Sequence, residues 1–451
     1  MFRLPRETEM TLPLLQEFLD KHTREVKNRY EKLYAAYTSD HEILHAAPKP
    51  AYKPDNRIVV NFPKYIVDTM NGFFIGNPIK VVTDDEAVSD YVEYLDQFND
   101  QDDNNAELSK LCSIFGKGYE MYYTDEEAEL CITYLSPMEA FMIYDDSIVE
   151  RPMFFVRRYV DRENTEYGSI SDSVNVRYFK VTGGLQWLDE GTEHHFKGVP
   201  ATEFTENAER QGIFEPVLTL VNAYNKALSE KANDVDYFAD AYLKVLGTKI
   251  ANEDLQFIRD NRIVNFEGLD ADKIVAEFMN KPSNDAAQEN FLNRSEKLIF
   301  TMSMVANISD ENFGAATGIA LKYKLQAMSN LRKTKERKFT SGMNRRYKLL
   351  FGHPASKVPA DAWLQLHYQF TPNIPANLLE EAQIAAQMEG IVSHETQLKV
   401  LSIVDDVQGE LEKIEEENKA AEETAVDRAM FGKDINSLTS AEEEVINNEQ
   451  Q

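Results

Sequence analysis

Two long stretches of helical periodicity, separated by a short mixed segment, constrain this chain more than any other feature of its sequence. Residues 217–246, VLTLVNAYNKALSEKANDVDYFADAYLKVL, repeat apolar side chains at helical spacing, and a helix of that length is about 45 Å long. A second helix is predicted to begin at Ser283, its N-cap. The apolar face predicted for this second helix consists of Ala287, Phe291, Leu298, Met302 and Val305. Two such helices are hard to bury within a single compact domain.

The rest of the chain predicts an α+β protein that is mainly helical. The first third mixes amphipathic helices with strands, and VNVRYFKVTGGLQWLDE is predicted to be a hairpin in which Gly183 and Gly184 supply positive φ angles. A third long helix is predicted from Gly318 to Leu350. Its predicted apolar positions are Leu321, Leu325, Met328, Phe339, Met343 and Tyr347. From Ala376 onward the sequence is helical in pattern and strongly acidic.

Charge and composition exclude several classes of protein. The 451 residues include 48 basic and 77 acidic side chains, a formal charge of −29, which argues against tight wrapping of nucleic acid but not against a surface along which DNA slides. Cys112 and Cys131 make neither a metal pattern nor a disulfide framework and are expected to be inert core residues. The start of the chain lacks the apolar core of a secretion signal, and its apolar runs fall short of the roughly 18 residues of a membrane span, so we expect a cytosolic chain with no membrane partner.

The predicted helix from Gly318 to Leu350 is unusually basic. It carries ten Lys or Arg residues and one acidic residue, Glu336, a local balance of +9. Because like charges repel along a helix, a specific anionic neighbour is expected. That neighbour could be an acidic surface of another subunit or a nucleic acid.

No local pattern predicts catalysis, a metal or a cofactor. IFGKGYE, Ile114 to Glu120, has the wrong spacing for a phosphate loop and is expected to be a turn that leads into a strand. His194 and His195 are adjacent and are expected in a surface loop, while His353, His367 and His394 are scattered singly. The acidic segments YTDEEAEL and YDDS are expected to be solvated turns. The chain is therefore not expected to be an enzyme.

In this order of segments, the chain resembles the portal proteins of long-tailed double-stranded DNA phages, of the type found in phages of Gram-positive bacteria. The most specific motif is SDENFGAATGIALKYKL, an acidic DE-x-F followed by Gly, a small hydroxyl residue and GIALKYKL. GFFIGNPIKV, FGKGYEMYYTDEEAELCITYLSPMEAFMIYDD and the Glu/Lys-rich helical C-terminus follow the same family in order. The resemblance covers residues 56–417.

The resemblance implies a phage portal fold of wing, stem, clip and crown that assembles as a ring, usually of twelve subunits, around a central channel at one capsid vertex. It divides the chain into a mixed α/β wing (1–215), a stem helix (216–247), a clip (248–282), a second stem helix (283–306), a tunnel loop (307–318), the long basic helix with a returning wing strand (319–375), and a crown with an acidic tail (376–451). Side-by-side packing in such a ring would bury the two long helices.

The resemblance also implies where DNA passes. It places the tunnel loop at the narrowest part of the channel, with Ser309, Asp310, Glu311, Asn312 and Phe313 near DNA. Gly314 and Gly318 are the expected loop hinges, and the expected DNA or inter-subunit contacts are Lys322, Lys324, Arg332 and Lys333. The loop itself has no Lys or Arg, and twelve chains would carry 12 × −29 = −348 formal charges, a balance that favours passage of DNA over retention.

The implied partners are other copies of the chain, the DNA in transit, the terminase large subunit, the major capsid and scaffolding proteins, and the head-completion adaptor. The implied location is the portal vertex of the virion, with assembly in the host cytoplasm, and ATP hydrolysis would belong to the terminase. Two other interpretations remain open. One is a nucleic-acid-processing enzyme that holds its substrate with helix 318–350, and the other is a capsid or tail structural protein without a channel.

Overall fold

The structure is a computed structural model that describes residues 2–50, 53–239, 243–246, 275–278, 285–308, 323–373, 378–401, 403–404 and 407–420. Backbone contacts divide the chain into two compact units: the first holds the described residues up to Asn373, and the second holds those from Leu378 onward. Helices and several sheets occur together in the first unit, which confirms the predicted α+β class.

The helices are α1 (Leu12–Glu25), α2 (Glu31–Tyr37), α3 (Phe62–Ile75), α4 (Glu86–Phe98), α5 (Gln101–Phe115), α6 (Leu218–Ala239), α7 (Asp285–Ser303), α8 (Gln326–Phe351), α9 (Leu378–Gln387) and α10 (His394–Leu398). Short 3₁₀ turns occupy Glu42–His45, Glu215–Val217 and Ala362–Gln365.

The strands are β1 (Phe2–Leu4), β2 (Lys80–Val82), β3 (Lys117–Thr124), β4 (Leu130–Leu135), β5 (Ala140–Asp145), β6 (Pro152–Val160), β7 (Glu166–Ser171), β8 (Asn175–Lys180), β9 (Gln186–Trp187), β10 (Thr192–Glu193), β11 (Ala201–Thr205), β12 (Leu243–Leu246), β13 (Val275–Phe278) and β14 (His367–Gln369). Most of the strands predicted in the first third of the chain are therefore present.

The largest sheet has the strand order β1-β5-β6-β7-β8-β10, with β9 paired to β8. β1 runs parallel to β5, and the other neighbours are antiparallel. Helix α1 covers one face, where Leu15 and Phe18 pack with Phe141 and Val156 of the sheet. At β5 and β6, the opposite face packs against the small sheet β11-β3-β4.

One helical stretch with a π-helical turn connects two separate cores. The sequence predicts a single apolar face of Leu15, Phe18, Val26, Tyr30 and Leu33. Val26 is half-buried and the other four are buried. A π-helical turn, Val26–Tyr30, separates α1 from α2. Because a π turn inserts extra residues per turn, it rotates the following face. Leu15 and Phe18 consequently join the core of the largest sheet, whereas Tyr30 and Leu33 join the main core.

The main core lies among α3, α5 and α8. Phe74 of α3 and Cys112 of α5 pack in the same apolar cluster as Phe339 and Met343 of α8. The predicted apolar positions of the third helix that fall in the described chain are all buried: Leu325, Met328, Phe339, Met343 and Tyr347. The helical periodicity of this segment is confirmed, and the described helix begins at Gln326.

The predicted helix 217–246 is shorter than its periodicity indicates. α6 ends at Ala239, and Leu243–Leu246 forms β12, which pairs antiparallel with β13. Residues 243–246, LKVL, contain alternating apolar side chains that suit a strand as well as a helix, and the partner strand decides the outcome. ADKIVAEFMN (271–280) and NRIVNFEG (261–268) each have the pattern of a strand. β13 confirms the first, and the second lies outside the described residues.

The predicted apolar face of the second long helix is wrong for Ala287, Phe291 and Met302, which are exposed, whereas Leu298 is half-buried and Val305 is buried. α7 buries Leu292, Ser295 and Ile299, while Phe291 and Met302 are 47% and 57% exposed. The buried row follows the four-residue spacing of the helix, but it includes a serine that a hydrophobicity pattern does not detect. Phe291 and Met302 are therefore left exposed, although Val305, beyond the end of α7, joins the main core. The predicted N-cap Ser283 lies outside the described residues.

Two glycine turns behave as predicted. Gly183 and Gly184 have φ angles of 84° and 107° in the loop between β8 and β9. At IFGKGYE, Gly116 ends α5 with φ 86° and leads directly into β3. A Cβ at position 116 would lie 2.1 Å from the carbonyl oxygen of Arg210, so this turn is structural and admits no side chain.

The predictions for cysteines and histidines hold with one exception. Cys112 and Cys131 are buried free thiols. His195 is exposed in a loop, as expected, but His353 is not isolated, since its ring centroid lies 6.3 Å from that of His195. Within the described residues, no group of His, Cys, Asp and Glu side chains is arranged to hold a metal ion.

The described part of the second unit is helical. It contains α9 and α10 and a helical stretch at 407–420, which confirms the helical prediction for this region. Gln397 of α10 donates to the carbonyl oxygen of Ala385 of α9 at 2.7 Å. Among the described residues of the chain, no helix combines the length and apolar character needed to span a membrane.

Candidate functional site

Residues 309–322, which include most of the predicted tunnel loop, lie outside the described residues. This holds for the loop residues Ser309, Asp310, Glu311, Asn312 and Phe313, for the hinges Gly314 and Gly318, and for Lys322. Their positions near DNA therefore stay predictions. The structure describes the chain up to Ile308 and again from Tyr323, so it defines the two ends from which the loop departs.

Both ends of the loop are attached to the first unit. On the entering side, α7 stops at Ser303, and Met304 takes a left-handed conformation with φ 60°. Ile308 then donates its backbone N–H to the hydroxyl of Tyr65 on α3, at 2.8 Å. On the leaving side, Leu325 is buried in the main core. The chain is therefore anchored to the packed structure on both sides of the loop.

The three predicted contact residues that the structure describes lie at the N-terminal side of α8. Lys324 and Lys333 are exposed. Arg332 forms an ion pair with Glu336, one helical turn onward, at 2.9 Å. The structure therefore brings the three cations to the N-terminal end of one helix.

Lys335 is anchored inside the protein. Its ammonium group is fully buried and lies 2.7 Å from the Glu206 carboxylate. It also donates to the Ser113 hydroxyl at 2.6 Å and to the Ser109 carbonyl oxygen at 3.0 Å. These three acceptors match the three donors of a lysine ammonium group, so the buried charge is both paired and fully hydrogen-bonded.

Arg346 forms a second buried anchor, three turns further along α8. Its Nε and Nη2 atoms donate to the two carboxylate oxygens of Glu120 on β3 at 2.8 and 2.6 Å. Nη2 also donates to Asn105 of α5 at 2.6 Å, and the Tyr122 hydroxyl donates to Glu120 at 2.8 Å. Burial by itself would lower the pKa of Arg346, but the adjacent Glu120 carboxylate raises it above its ordinary value. The guanidinium is thus held charged in the core.

Arg345 adds a link to the neighbouring strand. Its guanidinium donates to the carbonyl oxygens of Ala201 and Val199 at 3.3 and 3.2 Å. Gly342 allows α8 to approach this strand, since a Cβ there would lie 2.4 Å from the Phe204 ring. Together these contacts position α8 against β11 with little freedom to rotate.

The anionic neighbour expected for the basic helix is therefore found partly within the same chain. For Lys335 and Arg346, the prediction of another subunit or a nucleic acid as the counter-charge is wrong, because Glu206 and Glu120 supply it. Sequence reasoning missed these pairs because the partners are more than 100 residues apart in the chain. For the remaining exposed cations, including Lys333, an anionic partner on another subunit or on a nucleic acid stays a prediction.

The structure also shows a polar ladder that the sequence did not reveal. Asn225, Ser229 and Asn233 repeat every fourth residue on the buried face of α6. Their side-chain oxygens accept the backbone N–H groups of Val60, Ile58 and Asn56 at 2.9, 2.9 and 2.7 Å. Four residues of a helix rise about 6 Å, close to the repeat of two residues in an extended chain. The spacing of these small polar residues is the signal that could have identified the ladder.

Comparison with known proteins gives one family. The family model described as "Phage portal protein, SPP1 Gp6-like" matches residues 16–424. A protein named "Portal protein" from Clostridium phage phiCD119 is 24% identical over 423 residues, covering 86% of this chain and 90% of the relative. A "Portal protein" from Bacillus phage SPP1 is 26% identical over 402 residues, covering 82% of this chain and 78% of the relative.

A solved structure is also similar. It is a chain titled "Neck of empty GTA particle computed with C6 symmetry", with a TM-score of 0.44 and 13% identity over 74% of this chain and 88% of that chain. A likeness at that level carries no argument about this chain.

Proposed function

Because this chain belongs to the phage portal protein family of the SPP1 Gp6-like type, we propose that twelve copies assemble as a ring around a central channel at one vertex of the capsid. DNA passes through this channel during packaging and again during ejection. Portal proteins are virion components, and this one would assemble in the host cytoplasm before it joins the capsid.

The observation that best supports ring assembly is the exposed apolar row of α7. Phe291 and Met302 are 47% and 57% exposed and lie eleven residues apart, which is close to three full turns and therefore the same face. The opposite face of α7 packs against α6, where Lys231 forms an ion pair with Glu289. An apolar row that is left exposed on a helix pair is suited to burial against a neighbouring copy.

We place the regions of the portal fold on the described elements as follows. The wing is residues 1–215, and α6 and α7 are the stem helices. β12 and β13 pair with each other, so the clip begins at Leu243 in this proposal, a few residues before the boundary at 248. The crown and acidic tail are residues 376–451.

The loop at 307–318 is proposed as the tunnel loop that lines the narrowest part of the channel. Ser309, Asp310, Glu311, Asn312 and Phe313 would lie near DNA, with Gly314 and Gly318 as hinges. The loop holds two carboxylates and no Lys or Arg, so its contact with DNA would be steric or through water. Lys322 and Lys324 are the first cations that follow it in sequence, and Arg332 and Lys333 are the next.

The proposed partners follow from the same assignment. The clip would contact the terminase large subunit during packaging and the head-completion adaptor afterwards, and the ring would be surrounded by the major capsid and scaffolding proteins. This chain would act as a conduit and assembly nucleus, with ATP hydrolysis in the terminase. The net charge of −29 per chain favours DNA that slides over DNA that is held.

Negative-stain electron microscopy and mass measurement of the purified chain test the ring. Twelve copies of the 51.7 kDa chain would form a particle of about 620 kDa with a central hole. A monomer with nuclease or nucleotide-hydrolysing activity would contradict the proposal, as would particles without a hole. Tight binding of DNA to the isolated ring with a steep salt dependence would contradict the sliding role alone.

A further inference from the structure

The largest sheet leaves part of one face uncovered. Beyond the area that packs on the small sheet, β6, β7 and β8 present six residues in two cross-strand rows, here called the open face. One row is Arg157, Ser169 and Tyr178, and the other is Tyr159, Tyr167 and Lys180. Ser169 is buried, and the other five side chains are exposed or half-exposed. Side chains alternate along a strand, so the open face lies opposite Val156 and therefore opposite α1.

The open face is aromatic and basic. Tyr159 and Tyr167 stack with ring centroids 5.9 Å apart. The Arg157 guanidinium lies 4.9 Å from the Tyr159 ring centroid, and the Lys180 ammonium lies 5.7 Å from that of Tyr167. Neither cation forms an ion pair with any of the described residues, and none of the six residues is acidic.

This composition is unusual for a face that meets water. Tyr159 and Tyr178 are 37% and 42% exposed, and exposed sheet faces are ordinarily polar. Tyrosine and arginine are enriched at protein interfaces, where they combine a large apolar area with hydrogen-bond donors. The chain as a whole has a formal charge of −29, but the open face combines three tyrosines with two cations that have no acidic partner among the described residues. Such a surface is suited to binding carboxylates.

The opposite side of the same sheet carries such carboxylates. α1 turns its apolar residues toward the sheet, and its outer row exposes Glu17 and Asp20, followed one turn later by Arg24. Glu17 forms an ion pair with Lys21 at 2.5 Å, and Asp20 accepts a hydrogen bond from the Gln16 amide at 2.9 Å. The N-terminal part of this row therefore offers carboxylates and the open face offers cations, which is an arrangement that a head-to-tail contact between identical chains can use.

We propose that, in the ring, the outer side of α1 of one copy lies on the open face of the next copy. Each largest sheet is then covered by its own α1 on one face and by the neighbour's α1 on the other. Glu17 and Asp20 are the residues that meet Arg157, Lys180 and the tyrosine hydroxyls. This inference rests on the proposed ring and adds an electrostatic contact to the apolar one made by α7.

Nucleic acid is a weaker occupant of the open face. Affinity for a duplex depends on the number of phosphates that cations neutralise, and this face offers two cations in a strongly acidic chain. The paired tyrosines also stack on each other, which leaves less ring surface for a base.

Cross-linking tests the contact directly in the full chain. In a variant with Glu17→Cys and Tyr178→Cys, a short bismaleimide should link neighbouring copies into a ladder of oligomers on a denaturing gel. The two positions lie on opposite sides of the sheet, so a link within one copy is not expected. Each single variant is a control, and Glu17→Cys with Gln97→Cys, an exposed site on α4, is the control for random collisions. A ladder that the control pair reproduces would overturn the proposal.

Reversing the charges on the two sides of the proposed contact provides an independent test. Arg157→Glu with Lys180→Glu should raise the protein concentration at which half of the rings dissociate about tenfold, the equivalent of 1.4 kcal/mol. Adding Glu17→Lys and Asp20→Lys should restore the original value. Rings that are unaffected by the first pair, or not restored by the second, would overturn the contact.

The outcomes separate this inference from the proposed function. If the unmodified chain forms no ring, the proposed ring fails, and this contact fails with it. If the ring forms but no ladder and no charge effect are seen, only the contact is overturned. If Arg157→Glu with Lys180→Glu leaves the ring intact and instead abolishes binding of a short duplex DNA probe, the open face is a nucleic-acid surface and the contact is also overturned.

Discussion

Asp96 is a partly buried acid close to the second anchor of α8. It lies on α4 and accepts a long hydrogen bond from the Tyr347 hydroxyl at 3.4 Å. Burial raises the pKa of Asp96 to about 6, while the nearby Arg346 acts in the opposite direction. Because the folded pKa lies above the unfolded one, the protonated acid stabilises the fold below pH 4. That contribution is lost as the pH rises through 6.

Replacement of Asp96 by Asn should therefore stabilise the protein in a pH-dependent way. At pH 8 the gain in free energy of unfolding should reach at most about 3 kcal/mol, because the buried charge is gone, and at pH 4 it should be close to zero. Urea unfolding of the variant and the parent chain from pH 4 to pH 8 measures the difference. Asp90→Asn, at an exposed position of the same helix, is the matched control and should leave stability unchanged at each pH.

The Arg346–Glu120 pair should behave as a coupled unit. Arg346→Met leaves a buried carboxylate without its cation and should destabilise the fold by about 3–5 kcal/mol. Adding Glu120→Gln should recover a large part of this loss, since the uncompensated charge is removed. Arg337→Met, at an exposed position of α8, should change stability by less than about 0.5 kcal/mol. Equal losses in the single and double variants would contradict the coupling.

At the scale of elements, the polar ladder ties α6 to the extended segment at residues 56–60. A helix side offers no row of backbone acceptors, so Asn225, Ser229 and Asn233 take the place of a neighbouring strand. Ser229 lies at the centre, where its hydroxyl accepts from Ile58 and donates to the Asn225 carbonyl oxygen at 2.7 Å. The segment is thus fixed in register without a sheet.

Removal of the Ser229 hydroxyl should weaken the protection of the backbone amides of Asn56, Ile58 and Val60. Ser229→Ala should cost about 1–3 kcal/mol, because the Ile58 N–H loses its acceptor. Hydrogen exchange should accelerate at Ile58 and, to a lesser extent, at Asn56 and Val60. Lys226→Ala, at an exposed position of α6, should leave these amides protected. Uniform exchange along the whole segment would argue against the ladder as its main support.

The proposed tunnel loop can be tested as one element. Deletion of Asp310 to Ala316 should leave the ring intact, because its ends are held separately by the Ile308–Tyr65 hydrogen bond and by the buried Leu325. DNA packaging or retention should be impaired. Ring formation is read by electron microscopy and packaging by the DNA protected in filled heads, with Ala316→Ser as the length-preserving control. Loss of the ring would count against the loop assignment.

At the scale of the whole molecule, stability of one chain and assembly of many should be separable. Phe291→Asp with Met302→Asp places charges on the exposed row of α7, so the folded chain should keep its unfolding midpoint. The ring should fail, because each interface would bury unpaired carboxylates. Mass measurement and electron microscopy distinguish the two. Asn293→Asp, at an exposed polar position of the same helix, should assemble normally, and assembly of the double variant would remove α7 from the interface.

Hydrophobic periodicity predicted where the helices lie better than it predicted which side of each helix is buried. The apolar positions of α8 are buried as expected because that helix crosses a core on one side only. On α7 the same reasoning identified Phe291 and Met302, which are exposed, since Ser295 and Ile299 take the buried row. An apolar row shows that a surface will be covered, but it does not show whether the same chain or another copy covers it.

The sequence by itself determined the family, the α+β class, the order of the segments and the turns that need glycine, because these depend on local patterns that survive without knowledge of distant contacts. Only the tertiary structure decided the partners of the buried charges. Lys335 meets Glu206 and Arg346 meets Glu120 across more than 100 residues of sequence. A charge count reports how many cations a helix carries, whereas the Coulomb and desolvation energies that fix their state depend on distances that only the folded chain defines.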